Sequence, residues 1–184
     1  MSTWTIDAAH TSVTFAVKYM MLSTVRGTFA DVEGTIEFDE EHPERSSVVT
    51  HIGTASINTG AAQRDAHLRS ADFFDVERYP TITFRSTTIE PRGDRWAIHG
   101  ELTIRDVTRP GVLDAGFLGV VPGMQGGRRA GIVAATRIDR QEFGLTWNVA
   151  LEAGGWLVGD AITIELDVSA VEAVSVEATP VPAA

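Results

Sequence analysis

Along most of this chain apolar side chains fall on every second residue, the period of a strand with one face buried. Val13, Phe15, Val17 and Tyr19 alternate with Thr14, Ala16 and Lys18, and Ile162, Ile164, Leu166 and Val168 alternate with Thr163, Glu165 and Asp167. Strands are also predicted over 3–7, 48–57, 80–89, 95–106, 111–120 and 128–139. A strand over 27–38 puts Phe29, Ile36 and Phe38 on one face if a bulge falls near 31–34. Met20 to Val25 reads as an apolar bend, and Asp39 to Ser46, with its acids, serine and proline, as a turn. Pro91-Arg92-Gly93-Asp94 and Pro122-Gly123-Met124-Gln125-Gly126-Gly127 read as the tips of two hairpins.

One segment breaks this period. Arg64-Asp65-Ala66-His67-Leu68-Arg69-Ser70-Ala71-Asp72-Phe73-Phe74-Asp75 packs charge, a histidine and two phenylalanines into a helical turn and a loop. Asn58-Thr59-Gly60 can cap a short helix over about 61–69, in which Asp65 and Arg69 are i, i+4 partners. The expected fold is all-β: an antiparallel up-and-down barrel of about eight strands with a short helix between strands. The barrel is expected over 1–170, and 171–184, rich in Ala, Val, Pro and Glu, as a flexible tail. Gly100, Gly116, Gly119, Ala130, Gly131, Ala134 and Ala135 stand where a filled core wants bulk, which favours an open barrel. Glycines serve bends and bulges equally well.

Composition narrows the function. With 184 residues the chain suits one domain, and 43% hydrophobic and 22% charged residues are ordinary for a globular protein. The net charge of −10 argues against nucleic acid and against electrostatic docking on an anionic membrane. No window approaches the roughly 18 apolar residues of a membrane span. The first residues lack the basic and apolar regions of a signal peptide, so a cytoplasmic location is expected. There is no cysteine, and the histidines (His10, His42, His51, His67 and His99) form no metal-binding spacing, so no metal site is expected. No G-x-S-x-G, dinucleotide fingerprint or phosphate loop is present, so no catalytic residue is nominated.

An ordered set of motifs resembles a known family. Trp4-x-Ile6-Asp7-x-x-His10-Thr11-x-Val13-x-Phe15-x-Val17 comes first, then Gly27-Thr28-Phe29. Arg64-Asp65-x-His67-Leu68-x-Ser70-x-Asp72-Phe73-Phe74, Tyr79-Pro80-x-Ile82-x-Phe84 and Gly100-Glu101-Leu102-Thr103-Ile104 follow, and Ile138-x-Arg140-x-x-Phe143-Gly144 closes the set. Together they resemble the YceI-like polyisoprenoid-binding family. The resemblance implies a lipocalin-like barrel holding an isoprenoid chain, such as the tail of an isoprenoid quinone or a polyprenyl phosphate; with no catalytic motif in the chain, the expected role is a non-catalytic carrier or sequestering protein. Many relatives carry histidine where this chain has Tyr19, whose hydroxyl can still point inward beside Phe15 and Val17.

A tunnel for such a lipid needs apolar walls and a few polar groups at one end. The wall candidates are Phe15, Val17, Phe29, Ile36, Leu68, Phe73, Phe74, Ile82, Phe84, Leu102 and Trp147. Arg64 and His67 are candidate head-group contacts at the mouth, or alternatively braces of a helical plug. The isoprenoid lipid is the expected partner, with no stable membrane insertion, and a homodimer stays open. Two rivals remain: an enzyme acting on a prenylated lipid, and a filled barrel serving as an interaction module.

Overall fold

The computed structural model of the protein describes residues 1–124 and 126–173. Eleven strand segments form one antiparallel sheet: β1 (Ser2–Ile6), β2 (Ser12–Tyr19), β3 (Ser23–Phe29), β4 (Val32–Phe38), β5 (Ser47–Gly53), β6 (Ile57–Asn58), β7 (Thr81–Arg92), β8 (Arg95–Ile104), β9 (Val107–Pro122), β10 (Arg128–Asp139) and β11 (Val158–Glu172). One helix, α1 (Ala62–Arg69), lies between β6 and β7. The sheet runs β1-β4-β5-β7-β8-β9-β10-β11, and β1 pairs with β11 to close an eight-stranded ring.

The remaining segments continue strands of that ring past a bend. β1 and β2 both pair with β11, separated by a 3-10 turn over Ala8–His10 in which the Ala9 N–H donates to the Asp7 carboxylate. β3 and β4 break at Ala30–Asp31; β3 pairs with β2, whereas β4 pairs with β1 and β5. The single bulged strand expected over 27–38 is therefore two strands with different neighbours. The apolar bend is confined to Met20–Leu22, with Met20 and Met21 at φ of 51° and 61°, and β3 already starts at Ser23. β9 starts at Val107, so β8 and β9 turn over Arg105–Asp106 and β9 is longer than its alternation suggested. β11 runs through Glu172, two residues beyond the expected boundary, held by Trp4↔Glu172 and Thr5↔Val171 pairing. The rest of the expected tail, 174–184, lies outside the described residues.

The inner face follows the alternation. Along β11, Ile162, Ile164, Leu166, Val168 and Ala170 face the interior while Thr163, Glu165 and Asp167 are exposed. The densest packing lies at the α1 end, where Ile6, Val13, Phe29, Ile57, Phe73, Phe143 and Leu145 form one buried cluster. Among the described residues β6 pairs only with β3, so its other edge needs partners. Arg69 supplies them, donating from Nε to Ala55 O at 2.8 Å and from Nη2 to Ile57 O at 2.7 Å. This explains the break in period: a helix and an arginine stand where another strand segment would pair. The expected Asp65–Arg69 ion pair is not made. Asp65 is buried and accepts from the Thr59 N–H at 2.9 Å and from the Thr59 hydroxyl.

Candidate ligand-binding cavity

The barrel encloses an apolar cavity of about 460 Å³, within the roughly 300–1,000 Å³ of small-molecule sites. β11 lines it along its length. From Ile162 to Ala170 a strand climbs about 27 Å, or about 20 Å along the axis of a barrel tilted near 40°. Of the expected wall residues, Phe15, Val17, Phe29, Ile36 and Leu68 line the cavity, as do Phe73, Phe74, Ile82, Phe84 and Leu102. Their aromatic rings interlock at the α1 end: Phe29 meets Phe15 at 5.6 Å and Phe74 edge-on at 5.8 Å.

Trp147, Tyr19, Arg64 and His67 lie outside that wall. Trp147 packs behind it against Phe73, at 5.4 Å. Tyr19 ends β2 opposite Ser23 and Val158, past the rim, and is exposed, so it does not present its hydroxyl to the cavity. Arg64 is exposed and turns back on its own segment, donating from Nε to Thr59 Oγ1 at 2.7 Å and from Nη2 to Thr59 O at 3.0 Å. His67 stands edge-on to Trp147 at 4.6 Å and to Phe73 at 5.1 Å, with Nε2 2.8 Å from an Asp72 carboxylate oxygen. In this arrangement Arg64 and His67 brace the α1 segment as a plug.

The mouth is at the other end. Four wall residues are exposed: Glu40 in the β4–β5 connection, Ser47 at the start of β5, and Val112 and Phe117 on β9. Wall residues of the α1 segment are buried or half-buried. A polar recess formed by Ser2, Asp39, Glu41, His42, Arg45 and Arg128 adjoins the mouth and shares Phe38 and Glu40 with the cavity. Arg128 spans the rim, donating to Glu40 at 2.7 Å and to both Glu172 oxygens at 2.6 and 2.7 Å, and stacking over Trp4 at 5.4 Å. These pairs raise the Arg128 pKa above its ordinary range and lower that of Glu172.

Gly100 has a different role from the one expected, and Gly27 shares it. A Cβ on Gly27 would overlap the Phe15 ring, and one on Gly100 the Phe84 ring and the Arg85 carbonyl. These glycines receive aromatic rings laid across the sheet. Ala130 and Ala134 do stand on the cavity wall.

Arg140 was not among the expected site residues, although it stands in the last motif. It is 2% exposed and borders the cavity's closed end. A guanidinium has five N–H donors, and all find acceptors here. Nε donates to Gly159 O at 2.9 Å, Nη1 to the carbonyls of Leu145 and Trp147, and Nη2 to Val158 O at 3.3 Å and Asp160 Oδ1 at 3.0 Å. It ties the 140–158 connection to β11 and has no donor left for a ligand. Among the described residues, no three His, Cys, Asp or Glu side chains converge as metal ligands, and no helix is long and apolar enough to cross a membrane.

Comparison with known proteins agrees with this architecture. A family model of the YceI-like domain matches residues 4–170. The chain belongs to the YceI-like family. It is 39% identical over 140 residues to protein YceI of Salmonella newport, covering 76% of this chain and 73% of that protein. A YceI protein from Campylobacter jejuni superposes with a TM-score of 0.72 at 32% identity, over 85% of this chain and 90% of that one. BcnA of Burkholderia cenocepacia has the same fold, with a TM-score of 0.74 at 23% identity over 89% of this chain and 98% of that one. A polyisoprenoid-binding domain from Saccharophagus degradans has it too, with a TM-score of 0.67 at 13% identity over 94% of this chain and all of that one.

Proposed function

We propose that this protein binds an isoprenoid lipid inside the barrel and acts as a carrier or sequestering protein. The observation that carries this reading is the cavity: long, apolar on nearly every wall position and open at one end. Burying each methylene of a chain contributes roughly 0.8 kcal/mol, so a few prenyl units exceed the roughly 4–15 kcal/mol lost on association. A filled barrel acting only through its outside does not need this space. The polyisoprenoid-binding domain from Saccharophagus degradans supports the same ligand class through its shared fold.

Between the two candidate head groups, a neutral quinone fits the wall better than a polyprenyl phosphate. The charged residues on the wall are Glu40, a carboxylate, and Arg140, whose donors are all engaged. A non-catalytic role draws support from where perturbed acids lie. Asp7, Asp39 and Glu172 have lowered pKa values, and each is held by ion pairs or backbone N–H groups outside the cavity.

Organic extraction of gently purified protein, followed by mass spectrometry, tests the reading. A prenylated species near one per chain is expected. Finding none, together with no displacement of a prenylated fluorescent probe, would refute it. Incubation with prenyl diphosphates and quinones, with and without divalent metal, should return them unchanged; turnover would favour the enzyme.

A further inference from the structure

The mouth is flanked by an apolar projection that shares only Phe117 with the cavity wall. Among the described residues, β8 pairs with β9 as far as Trp96↔Ala115, and β9 then continues to Pro122 alongside β10 alone. This stretch of β9, at the edge left by β8, exposes Phe117 (44%), Leu118 (66%) and Val121 (59%), with Met124 fully exposed at the hairpin tip. Phe117 also lines the cavity and meets Phe38 at 5.4 Å, so the exposed apolar segment reaches the mouth.

A bare hydrophobic strand edge is normally a site for another strand. Here two features oppose strand addition. The β9–β10 register shifts beside Gly131, leaving Leu118 as the extra residue, and Gly119 sits at φ 116°. Pro122 closes the segment without an N–H donor. The side chains are thus offered outward from an edge built against continuous pairing. Contiguous exposed apolar patches mark protein or membrane contacts, and continuity with a lipid-sized cavity selects the membrane.

We propose that Phe117, Leu118, Val121 and Met124 seat the barrel mouth on a zwitterionic lipid surface, so that a lipid passes between the layer and the cavity without crossing water. Charge at the rim defines which surface. The 39–45 stretch carries Asp39, Glu40, Glu41 and Glu44 against Arg45, and Arg128 is engaged by Glu40 and Glu172. An acidic rim is repelled by anionic headgroups, over a range set by the Debye length of about 10 Å at 0.1 M salt. The unpaired backbone of the edge keeps the contact shallow, at headgroup depth where water remains. What passes through the mouth rests on the lipid-carrier reading; the docking itself is measured without ligand.

The test uses the full chain and phosphatidylcholine vesicles in a flotation assay. The variant L118S/V121S/M124S changes exposed residues outside the cavity wall. The control M21S/L22S changes a comparably exposed apolar turn at the far end of the barrel, where Met21 is 68% and Leu22 83% exposed. The triple variant should lose vesicle binding by at least tenfold, consistent with three apolar side chains leaving an interface, while the control keeps it. Replacing about a third of the lipid with phosphatidylglycerol should weaken wild-type binding at low salt, and added salt should restore it. Affinity for a short, water-soluble prenylated probe should stay unchanged in the triple variant. Vesicle binding unaffected by the triple variant, or lost equally in the control, overturns the proposal. So does a wild-type dimer that the triple variant makes monomeric while neither protein binds vesicles. Vesicle binding that follows the expected pattern while no prenylated probe binds would instead refute the carrier reading alone.

Discussion

Replacing Ile82 by glutamine tests the cavity wall most directly. Ile82 is 7% exposed, stands opposite Ile52 across β5 and β7, and lines the cavity with it. In the free protein the new amide faces open space and can keep water. When an apolar chain fills that space the amide loses its partner, at about 1–3 kcal/mol. At about 1.4 kcal/mol per factor of ten, affinity should fall by roughly 5- to 150-fold. Ile82 also belongs to the buried cluster, so the melting temperature should drop. Binding is therefore measured by displacement of a prenylated fluorescent probe at a temperature where circular dichroism shows the β-sheet intact. Thr81→Gln, on the exposed outer face of the same strand, should leave affinity unchanged. An unaltered affinity for Ile82→Gln in a folded protein would remove Ile82 from the ligand's path and refute the wall as drawn.

Three further outcomes follow from the packing and the ion pairs. Arg140→Ala takes the donor from the carbonyls of Leu145, Trp147 and Gly159, while Val158 O keeps Asn148 and Asp160 keeps Gln141; at about 1–3 kcal/mol per unpaired carbonyl, stability should fall by roughly 3–5 kcal/mol, read from urea midpoints, and a change within error would mean that solvent replaces the arginine. Asp7 is lowered from 3.8 to about 2, chiefly by its hydrogen bond to Arg129 and then by His10. Its stabilisation should be complete above about pH 4 and be lost as pH falls through about 2. The stability gap between wild type and Asp7→Asn should shrink over that interval in acid titrations, and a gap independent of pH would contradict the pairing. Gly27→Ala should destabilise by about 1–3 kcal/mol through overlap with Phe15, and Phe15→Leu should recover part of that loss in a double-mutant cycle; strict additivity would show that the ring moves freely.

Alternation was enough to identify the strands and most of the wall. A strand places every second side chain on one face, so Phe15, Val17, Ile82 and Phe84 were legible as inward residues before any pairing was known. The same rule misplaced Tyr19, because a period says which face a residue shares and not where the barrel ends. It also could not separate β3 from β4, since a bend that changes partners leaves the apolar pattern almost intact.

The sequence by itself determined the class of the fold, the helical interruption and the apolar character of the interior, all consequences of local periodicity and turn chemistry. Only the tertiary structure decided which end opens. Arg64 and His67 looked like contacts at a mouth because polar groups in a loop often touch ligands. Thr59, Asp72 and Trp147 are spent on them instead, and those partners are fixed by the folded chain. Phe117 and Glu40 became mouth residues because β9 outruns β8 and the β4–β5 connection reaches the rim. Arg140 became a buried structural tie because five acceptors, spread over 145–160, converge on it. Such convergence depends on strand lengths and register across the whole ring, which no local pattern encodes.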